Sequence, residues 1–291
     1  MKISGFTIIK NAILNDYPIV EAICSILPVV NELVVLIGDS QDKTESLIRG
    51  INDSKIKIHY SVWDARLRKG GEVLALETNK AFRLIDPESD WAFYIQGDEV
   101  IHEKYIPVIL NACKEYCNNN KVQGLLFKYL HFYGTYDYVG DSRRWYNDEV
   151  RIIKNDKRIS AYKDAQGFRI DGKKLLVKPI DAYVYHYGWV KDPRQMKIKQ
   201  KNVSRFWNDD IAQQAFLATP DYFDFTEFDS LERFTGTHPA VMRERIAKKN
   251  WNFEFDLSRK KFSVKDRFLY WFEKLTGIRP FDFKNYKILR S

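Results

Sequence analysis

The first 130 residues alternate between short apolar runs and stretches with helical periodicity. The pattern predicts five strands, at Gly5–Ile9, Glu32–Ile37, Lys57–Ser61, Trp91–Ile95 and Val122–Leu130. Between them it predicts four helices, near Pro18–Leu27, Lys43–Arg49, Val73–Ile85 and Lys104–Cys117. Strands separated by helices favour an α/β fold with a mostly parallel central sheet flanked by helices. Right-handed crossovers then bring the strand-to-helix loops to one edge of the sheet.

Composition limits the class of protein. A chain of 291 residues with 45% hydrophobic content can bury one large core or two small ones. Neither a leader nor an apolar run of membrane-spanning length is visible, which predicts a cytoplasmic protein. Three cysteines, with Cys113 and Cys117 on a predicted helix, lack the second pair that a zinc site needs and are interpreted as reduced structural thiols.

The net charge of +8 is unevenly distributed. Residues 1–100 carry 11 Lys/Arg and 15 Asp/Glu, whereas residues 191–291 carry 21 and 14. This asymmetry favours an anionic partner, either a phosphorylated substrate or an anionic membrane face, with a solvated basic surface as the alternative. Nucleic acid is not expected, because no nucleic-acid-binding motif is present.

Acidic side chains follow two of the predicted strands. The apolar run beginning at Trp91 ends in Asp98 and Glu99, and Asp39 directly follows the strand ending at Ile37. Ligands of open α/β sheets bind at this edge. A carboxylate there suits a hard divalent cation with open positions for phosphate oxygens. A solvated acidic turn is the alternative for Asp98 and Glu99.

Basic residues and glycines directly precede the third predicted helix. Arg66, Arg68 and Lys69 precede Gly70 and Gly71, so that helix could hold phosphate at its N-terminus. The GxGxxG and GxxxxGK[ST] signatures are absent, which argues against dinucleotide-dependent redox chemistry and P-loop hydrolysis.

In the order and spacing of these motifs the chain resembles a family 2 glycosyltransferase with the GT-A fold, over roughly residues 1–190. The resemblance rests on the segments that contain Lys10-Asn11, Gly38 to Thr44, Gly70 with Asn79, and Tyr94 to Glu99. It implies that Asp39 and Ser40 contact the nucleoside and that Asn11 and Lys69 line the nucleotide pocket. Gln96-Gly97-Asp98 would take the metal-binding Asp-x-Asp position, with Gln96 replacing the usual first aspartate beside the nucleotide.

The resemblance also implies a metal and a general base. His186, at the end of an apolar strand, would join Asp98 on Mn²⁺ or Mg²⁺, although a lone histidine is often structural. An inverting transfer needs a carboxylate to take the acceptor proton. Asp164 is the best positional match, followed by Glu149 and then Asp148. Turn chemistry is the alternative for Asp164, and an ion pair with Arg151 is the alternative for Glu149.

The chain is predicted to divide near residue 190. Residues 1–190 would form the nucleotide-sugar-binding catalytic domain, and residues 191–291 a basic, mainly helical extension packed on it. In that extension the cluster Phe268–Phe272 is expected to dock on the catalytic domain or to touch lipid through an aromatic and basic face.

Together these features predict a glycosyltransferase that moves a sugar from a UDP- or GDP-linked donor to a glycan or lipid-linked acceptor. A nucleotidyltransferase and a catalytically silent nucleotide-sugar-binding protein remain the alternatives.

Overall fold

The computed structural model describes residues 1–207 and 220–290, whose strands form one large and one small sheet. The strands of the large sheet are β1 Ile3–Ile9, β2 Glu32–Ile37, β3 Ile56–Tyr60, β4 Trp91–Tyr94, β5 Glu99–Ile101, β6 Gly124–Gly134, β7 Tyr138–Gly140, β8 Asp148–Lys154, β12 Leu176–Val190, β13 Leu231–Arg233 and β14 Lys287–Ile288. The small sheet contains β9 Ile159–Tyr162, β10 Gly167–Ile170 and β11 Lys173–Lys174.

The described α-helices are α1 Ile19–Ile26, α2 Thr44–Arg49, α3 Glu72–Leu84, α4 Ile106–Glu115, α5 Pro193–Ser204, α6 Arg243–Ala247 and α7 Val264–Thr276. Two short 3₁₀ helices lie at Glu103–Tyr105 and Ala240–Met242. In the described part of the chain no helix has both the length and the apolar character needed to cross a bilayer.

The strands β3, β2, β1 and β4 pair in parallel, in that order. The predicted α/β fold with a mostly parallel central sheet flanked by helices is therefore confirmed, and each predicted element of the first 130 residues is present. β8 lies between β4 and β6 and pairs antiparallel with both. β4 and β6 therefore run in the same direction but do not pair with each other.

Burial on both faces explains the continuous apolar runs of β1, β2 and β4, whereas the strand β3 is only partly buried. All seven residues of β1 are buried. On one face α1 packs through Ile23 and Ile26, which are fully buried. On the other face Phe6 lies 5.4 Å from Phe82 of α3 and 5.2 Å from Tyr94 of β4, measured between ring centroids. Because helices cover both faces of the sheet, a ligand site in this region has to form at the loops that follow the parallel strands.

The 15-residue strand β12 carries the chain back across the sheet. It pairs in parallel with β6 and antiparallel with β5, which places His186 in register with Glu99. The residues after β12 also contribute strands to this sheet, because β13 pairs with β7 and β14 with β12. A division into two domains near residue 190 stays a prediction.

Candidate active site

A cavity of about 240 Å³ opens at the carboxyl ends of β1 and β4, the edge that the sequence predicts for ligand binding. The loops after these strands form its floor, and α5 with the residues that follow it forms one wall. Its polar lining includes Lys10, Asn11, Asn15, Tyr17, Tyr94, Gln96, Asp98, Asp164, Lys199, Asn202 and Arg205.

Asn11 holds two loops of the site together. Its backbone has a positive φ of 54°, its Oδ1 accepts a hydrogen bond from Gln41 N at 2.6 Å, and its own N–H donates to Ser40 Oγ at 3.0 Å. Asn11 lines the cavity, as predicted, whereas Ser40 lies outside the cavity lining and positions Asn11.

Asp39 lies beside a second cavity of about 150 Å³, which shares Lys10, Trp63 and Arg205 with the first. Its Oδ2 is 2.6 Å from Lys10 Nζ, and its Oδ1 accepts from Trp63 N at 3.0 Å. Burial opposes ionisation of the carboxyl, but these two donors outweigh burial and lower the pKa of Asp39. The result is an anchored carboxylate at the mouth of a groove walled by an indole ring.

Lys69 does not take the position that the resemblance implies. Its side chain is exposed and lies outside both cavities, whereas the neighbouring Arg68 lines the second one. The turn into α3 explains this: Gly70 and Gly71 both have positive φ, and the N–H of Gly71 donates to Phe206 O at 3.0 Å. Arg68, and not Lys69, is therefore the basic residue of this turn that reaches the second cavity.

Asp98 lines the cavity, and His186 lies beside it, outside the cavity lining. Asp98 Oδ2 is 3.8 Å from His186 Nε2 and 3.0 Å from Lys199 Nζ, which also donates to the carbonyl of Gly188 at 2.9 Å. Burial opposes ionisation of Asp98, but the positive charge of Lys199 outweighs it and lowers the pKa of the carboxyl. Asp98 is therefore an ionised carboxylate whose side chain is 13% exposed.

His131 fixes the proton on His186. His131 Nε2 lies 2.8 Å from the carbonyl of Tyr146, so this nitrogen carries the hydrogen that it donates there. His131 Nδ1 then accepts from His186 Nδ1, 3.1 Å away. Burial lowers the pKa of both imidazoles, which keeps them neutral. His186 Nε2 is thus left with a lone pair on the side of Asp98, as a metal ligand requires.

These atoms suit a divalent cation, with two protein ligands. Among residues 1–207 and 220–290 no cluster of three His, Cys, Asp or Glu side chains surrounds one point. The available ligands are one carboxylate oxygen of Asp98 and one imidazole nitrogen of His186. They suit Mn²⁺ or Mg²⁺ if phosphate and water oxygens complete the coordination shell. Gly188 leaves room beside them, because a Cβ there would lie 2.6 Å from His186 Nε2 and 2.8 Å from Asp98 Oδ2.

Glu99 has a structural role. Both of its carboxylate oxygens pair with Arg151, at 2.9 and 2.8 Å, in a fully buried ion pair, and Tyr129 donates to it at 2.6 Å. Glu99 also accepts from Gln96 N at 3.1 Å and so holds the loop that presents Asp98. The alternative of a Glu149–Arg151 ion pair is wrong, because Arg151 pairs with Glu99.

Of the three candidate bases, only Asp164 lines the cavity. It sits between Lys163 and Ala165, both with positive φ, and packs against Gly71, where a Cβ would lie 2.6 Å from Asp164 Cβ. Glu149 is buried outside the cavity, and burial raises its pKa to about 8.

Asp148 also lies outside the cavity. It is half-buried, 3.5 Å from the Tyr286 hydroxyl, and burial raises its pKa.

The sequence analysis missed the wall formed by α5, which it assigned only to a basic extension. Besides the contact of Lys199, Asn202 donates to Asn15 Oδ1 at 2.8 Å, and the ring of Phe206 lies 5.4 Å from that of Trp63. Helical spacing was the available signal, since Met196, Lys199 and Val203 follow at intervals of three and four and share one face.

No protein-family model matches the chain, and no curated protein matches it. Solved structures with some similarity were found, among them the following three. S. aureus TarS 1–349 is 14% identical, with a TM-score of 0.38, over 75% of this chain and 70% of that one. M. tuberculosis glucosyl-3-phosphoglycerate synthase, in complex with Mn²⁺, UDP and phosphoglyceric acid, is 22% identical, with a TM-score of 0.30, over 45% of this chain and 43% of that one.

The third is 4-diphosphocytidyl-2C-methyl-D-erythritol synthase from Anaerococcus prevotii, which is 15% identical, with a TM-score of 0.34, over 53% of this chain and 71% of that one. Identities and TM-scores at this level do not establish a family.

Proposed function

We propose that the protein is a glycosyltransferase that uses a nucleoside diphosphate sugar as donor. One observation supports this above all: Asp98, next to His186, and Asp164 line one cavity, and the anchored acid Asp39 lines a second cavity that shares Lys10 and Trp63 with the first. A sugar donor has a nucleoside, a diphosphate and a reacting sugar in that order, and it needs these three groups in one connected space.

The nucleoside would bind in the groove beside Asp39. An ionised carboxylate can accept hydrogen bonds from ribose hydroxyls or from a base edge, and Trp63 offers an aromatic face. Asn11 would fix the loop that carries Asp39, through its hydrogen bonds to Ser40 and Gln41. Lys10, Arg68 and Arg205 line the same groove and add positive charge for the diphosphate.

Asp98 and His186 would hold Mn²⁺ or Mg²⁺ beside the diphosphate, with His131 orienting the imidazole. When bound, such a cation stabilises the charge that develops on the leaving nucleoside diphosphate. Gln96 lines the cavity beside them and can donate its amide hydrogens to a phosphate or ribose oxygen.

Asp164 would act as the general base in an inverting transfer. It would accept the proton of the acceptor hydroxyl as that oxygen attacks the anomeric carbon, while the bond to the nucleoside diphosphate breaks. Glu149 is the weaker candidate, because a buried carboxyl with a pKa near 8 is protonated at neutral pH and cannot take a proton.

The acceptor, a glycan or a lipid-linked glycan precursor, would approach from a third cavity of about 330 Å³. This cavity lies on the other side of Lys199 and is lined by His186, Trp189, Met196 and Trp207, among others. Tryptophan faces are suited to stacking against sugar rings. In this proposal the reaction takes place in the cytoplasm.

A catalytically silent nucleotide-sugar-binding protein is the second candidate. The contact between Lys199 and Asp98 favours it, because an ammonium group already neutralises the carboxylate that a cation would use.

Isothermal titration calorimetry with UDP and GDP tests the donor site. We expect one of the two to bind more tightly with Mn²⁺ than with EDTA. The proposal would be contradicted if neither UDP nor GDP binds, with Mn²⁺ or with EDTA.

A further inference from the structure

The C-terminal helix α7 leaves one apolar stripe without a partner in the described chain. The exposed fractions of its side chains are 90% for Val264, 61% for Phe268, 57% for Trp271 and 69% for Leu275. The spacing of four, three and four residues places them within about 60° of one another around the helix axis. We call these four side chains the α7 apolar face.

The opposite face of α7 is the one that docks on the rest of the protein. Leu269 is buried, Tyr270 donates to Asp141 Oδ2 at 2.6 Å, and Glu273 pairs with Arg143 at 2.8 Å. Ser263 caps the N-terminus by accepting from Asp266 N at 3.1 Å. The helix is therefore anchored in one orientation, and the exposure of the α7 apolar face is a consequence of that docking.

The apolar surface continues beyond the helix. Gly277, with a positive φ of 68°, ends α7, and the exposed fractions of the next large apolar side chains are 60% for Ile278, 89% for Phe281 and 73% for Phe283. Soluble monomers seldom expose so many large apolar groups close together in sequence. The cluster Phe268–Phe272 therefore packs on the protein through one side and exposes the aromatic rings of Phe268 and Trp271 on the other.

Positive charge surrounds this surface. Residues 264–290 contain seven Lys/Arg and three Asp/Glu. On α7, Lys265 flanks the apolar face on one side, and Arg267 and Lys274 flank it on the other, since successive residues turn by about 100°. A helix with Trp, Phe and Leu on one face and Lys and Arg beside them is the type that lies in the interface of a lipid bilayer.

We infer that the α7 apolar face is a membrane-docking surface that inserts its aromatic side chains into an anionic phospholipid bilayer. Phe268 and Trp271 would enter the boundary between headgroups and acyl chains, where tryptophan partitions favourably. Lys265 and Arg267 would contact the anionic headgroups, whereas Lys274 pairs with Glu232 at 3.1 Å. This inference does not rest on the proposed function, because nucleotide binding in solution can be measured separately.

Flotation with lipid vesicles tests this inference on the full chain. We expect binding to equimolar phosphatidylcholine–phosphatidylglycerol vesicles, weak binding to pure phosphatidylcholine, and weakening by salt. The double variant Phe268→Ser/Trp271→Ser should bind the anionic vesicles at least about tenfold more weakly. Tyr222→Ser is the matched control, since that ring is 60% exposed and lies outside α7, and it should bind like the wild type.

Charge reversal separates the electrostatic contribution to vesicle binding from the contribution of the apolar side chains. Lys265→Glu/Arg267→Glu should remove the preference for anionic vesicles. Circular dichroism and thermal unfolding of each variant would verify the fold. Failure of the folded wild type to bind anionic vesicles, or equal binding by Phe268→Ser/Trp271→Ser, would overturn the inference. So would a wild-type dimer that the double variant abolishes without any vesicle binding, since the face would then be an interface between two copies.

Discussion

Lys199 Nζ lies 3.0 Å from Asp98 Oδ2, the oxygen that faces His186 Nε2. This contact ties α5, the wall of the cavity, to the loop after β4. It also places the ammonium group of Lys199 next to the Asp98 oxygen that a bound cation would contact. A divalent cation and Lys199 therefore compete for the same carboxylate.

Removal of the lysine should strengthen metal binding. In Lys199→Met, we expect the affinity for Mn²⁺ without nucleotide to rise on the order of tenfold, because a positive charge beside the ligand oxygen is lost. Electron paramagnetic resonance of free Mn²⁺ measures this directly. Lys201→Met, on the same helix, is the control, and an unchanged Mn²⁺ affinity in Lys199→Met would show that the two cations do not compete.

Asp98→Asn should abolish the Mn²⁺ dependence of nucleotide binding, because the anionic ligand becomes a neutral amide. The change should also lower the free energy of unfolding, since Lys199 would lose its ionised partner. The double variant Asp98→Asn/Lys199→Met should regain stability but not metal dependence. Calorimetry and urea unfolding measure the two effects, and intact metal dependence in Asp98→Asn would remove Asp98 from the metal site.

Asp39→Asn should weaken binding of the nucleoside diphosphate by about 1–3 kcal/mol, with or without metal, because a charge-assisted hydrogen bond is lost. Binding of inorganic pyrophosphate should not change. Should calorimetry find equal losses for both ligands, Asp39 does not contact the nucleoside.

Asp164→Asn should lower turnover by about 10²–10⁴-fold while donor affinity stays near that of the wild type. The reason is that Asp164 would face the acceptor hydroxyl and not the diphosphate. Glu149→Gln is the matched variant and should keep its turnover. The reverse result would move the base to β8, and full activity of both variants would exclude both side chains as the base.

Stability should depend on pH through Glu149. Its folded-state pKa of about 8 lies above the ordinary value of 4.5. The protonated group therefore contributes stability that is complete below about pH 4.5 and is lost as the pH rises through about 8. In Glu149→Gln the free energy of unfolding should fall less over this range. Urea unfolding across the pH range checks this, and identical pH profiles would contradict the assignment.

The sequence predicted the sheet well because β1, β2 and β4 are apolar runs and β3 alternates apolar with polar residues, with helix signals between the strands. Local patterns also located Asp39 and Asp98, which follow such strands directly. The pairing of Lys199 with Asp98 spans about 100 residues, and no local pattern encodes it. The His131–His186 contact is equally non-local, since it depends on the register between β6 and β12.

Analysis of the reaction products by ³¹P NMR is the most direct test of whether the protein transfers a sugar from a nucleoside diphosphate donor. The wild type would be incubated with UDP- or GDP-linked sugars, Mn²⁺ and a panel of glycan acceptors. We expect release of the nucleoside diphosphate, at a rate that the acceptor increases and that Asp164→Asn lowers. Conversion of the donor to nucleoside triphosphate and sugar 1-phosphate on addition of pyrophosphate would instead identify a nucleotidyltransferase, and a donor that binds but stays intact would identify a binding protein.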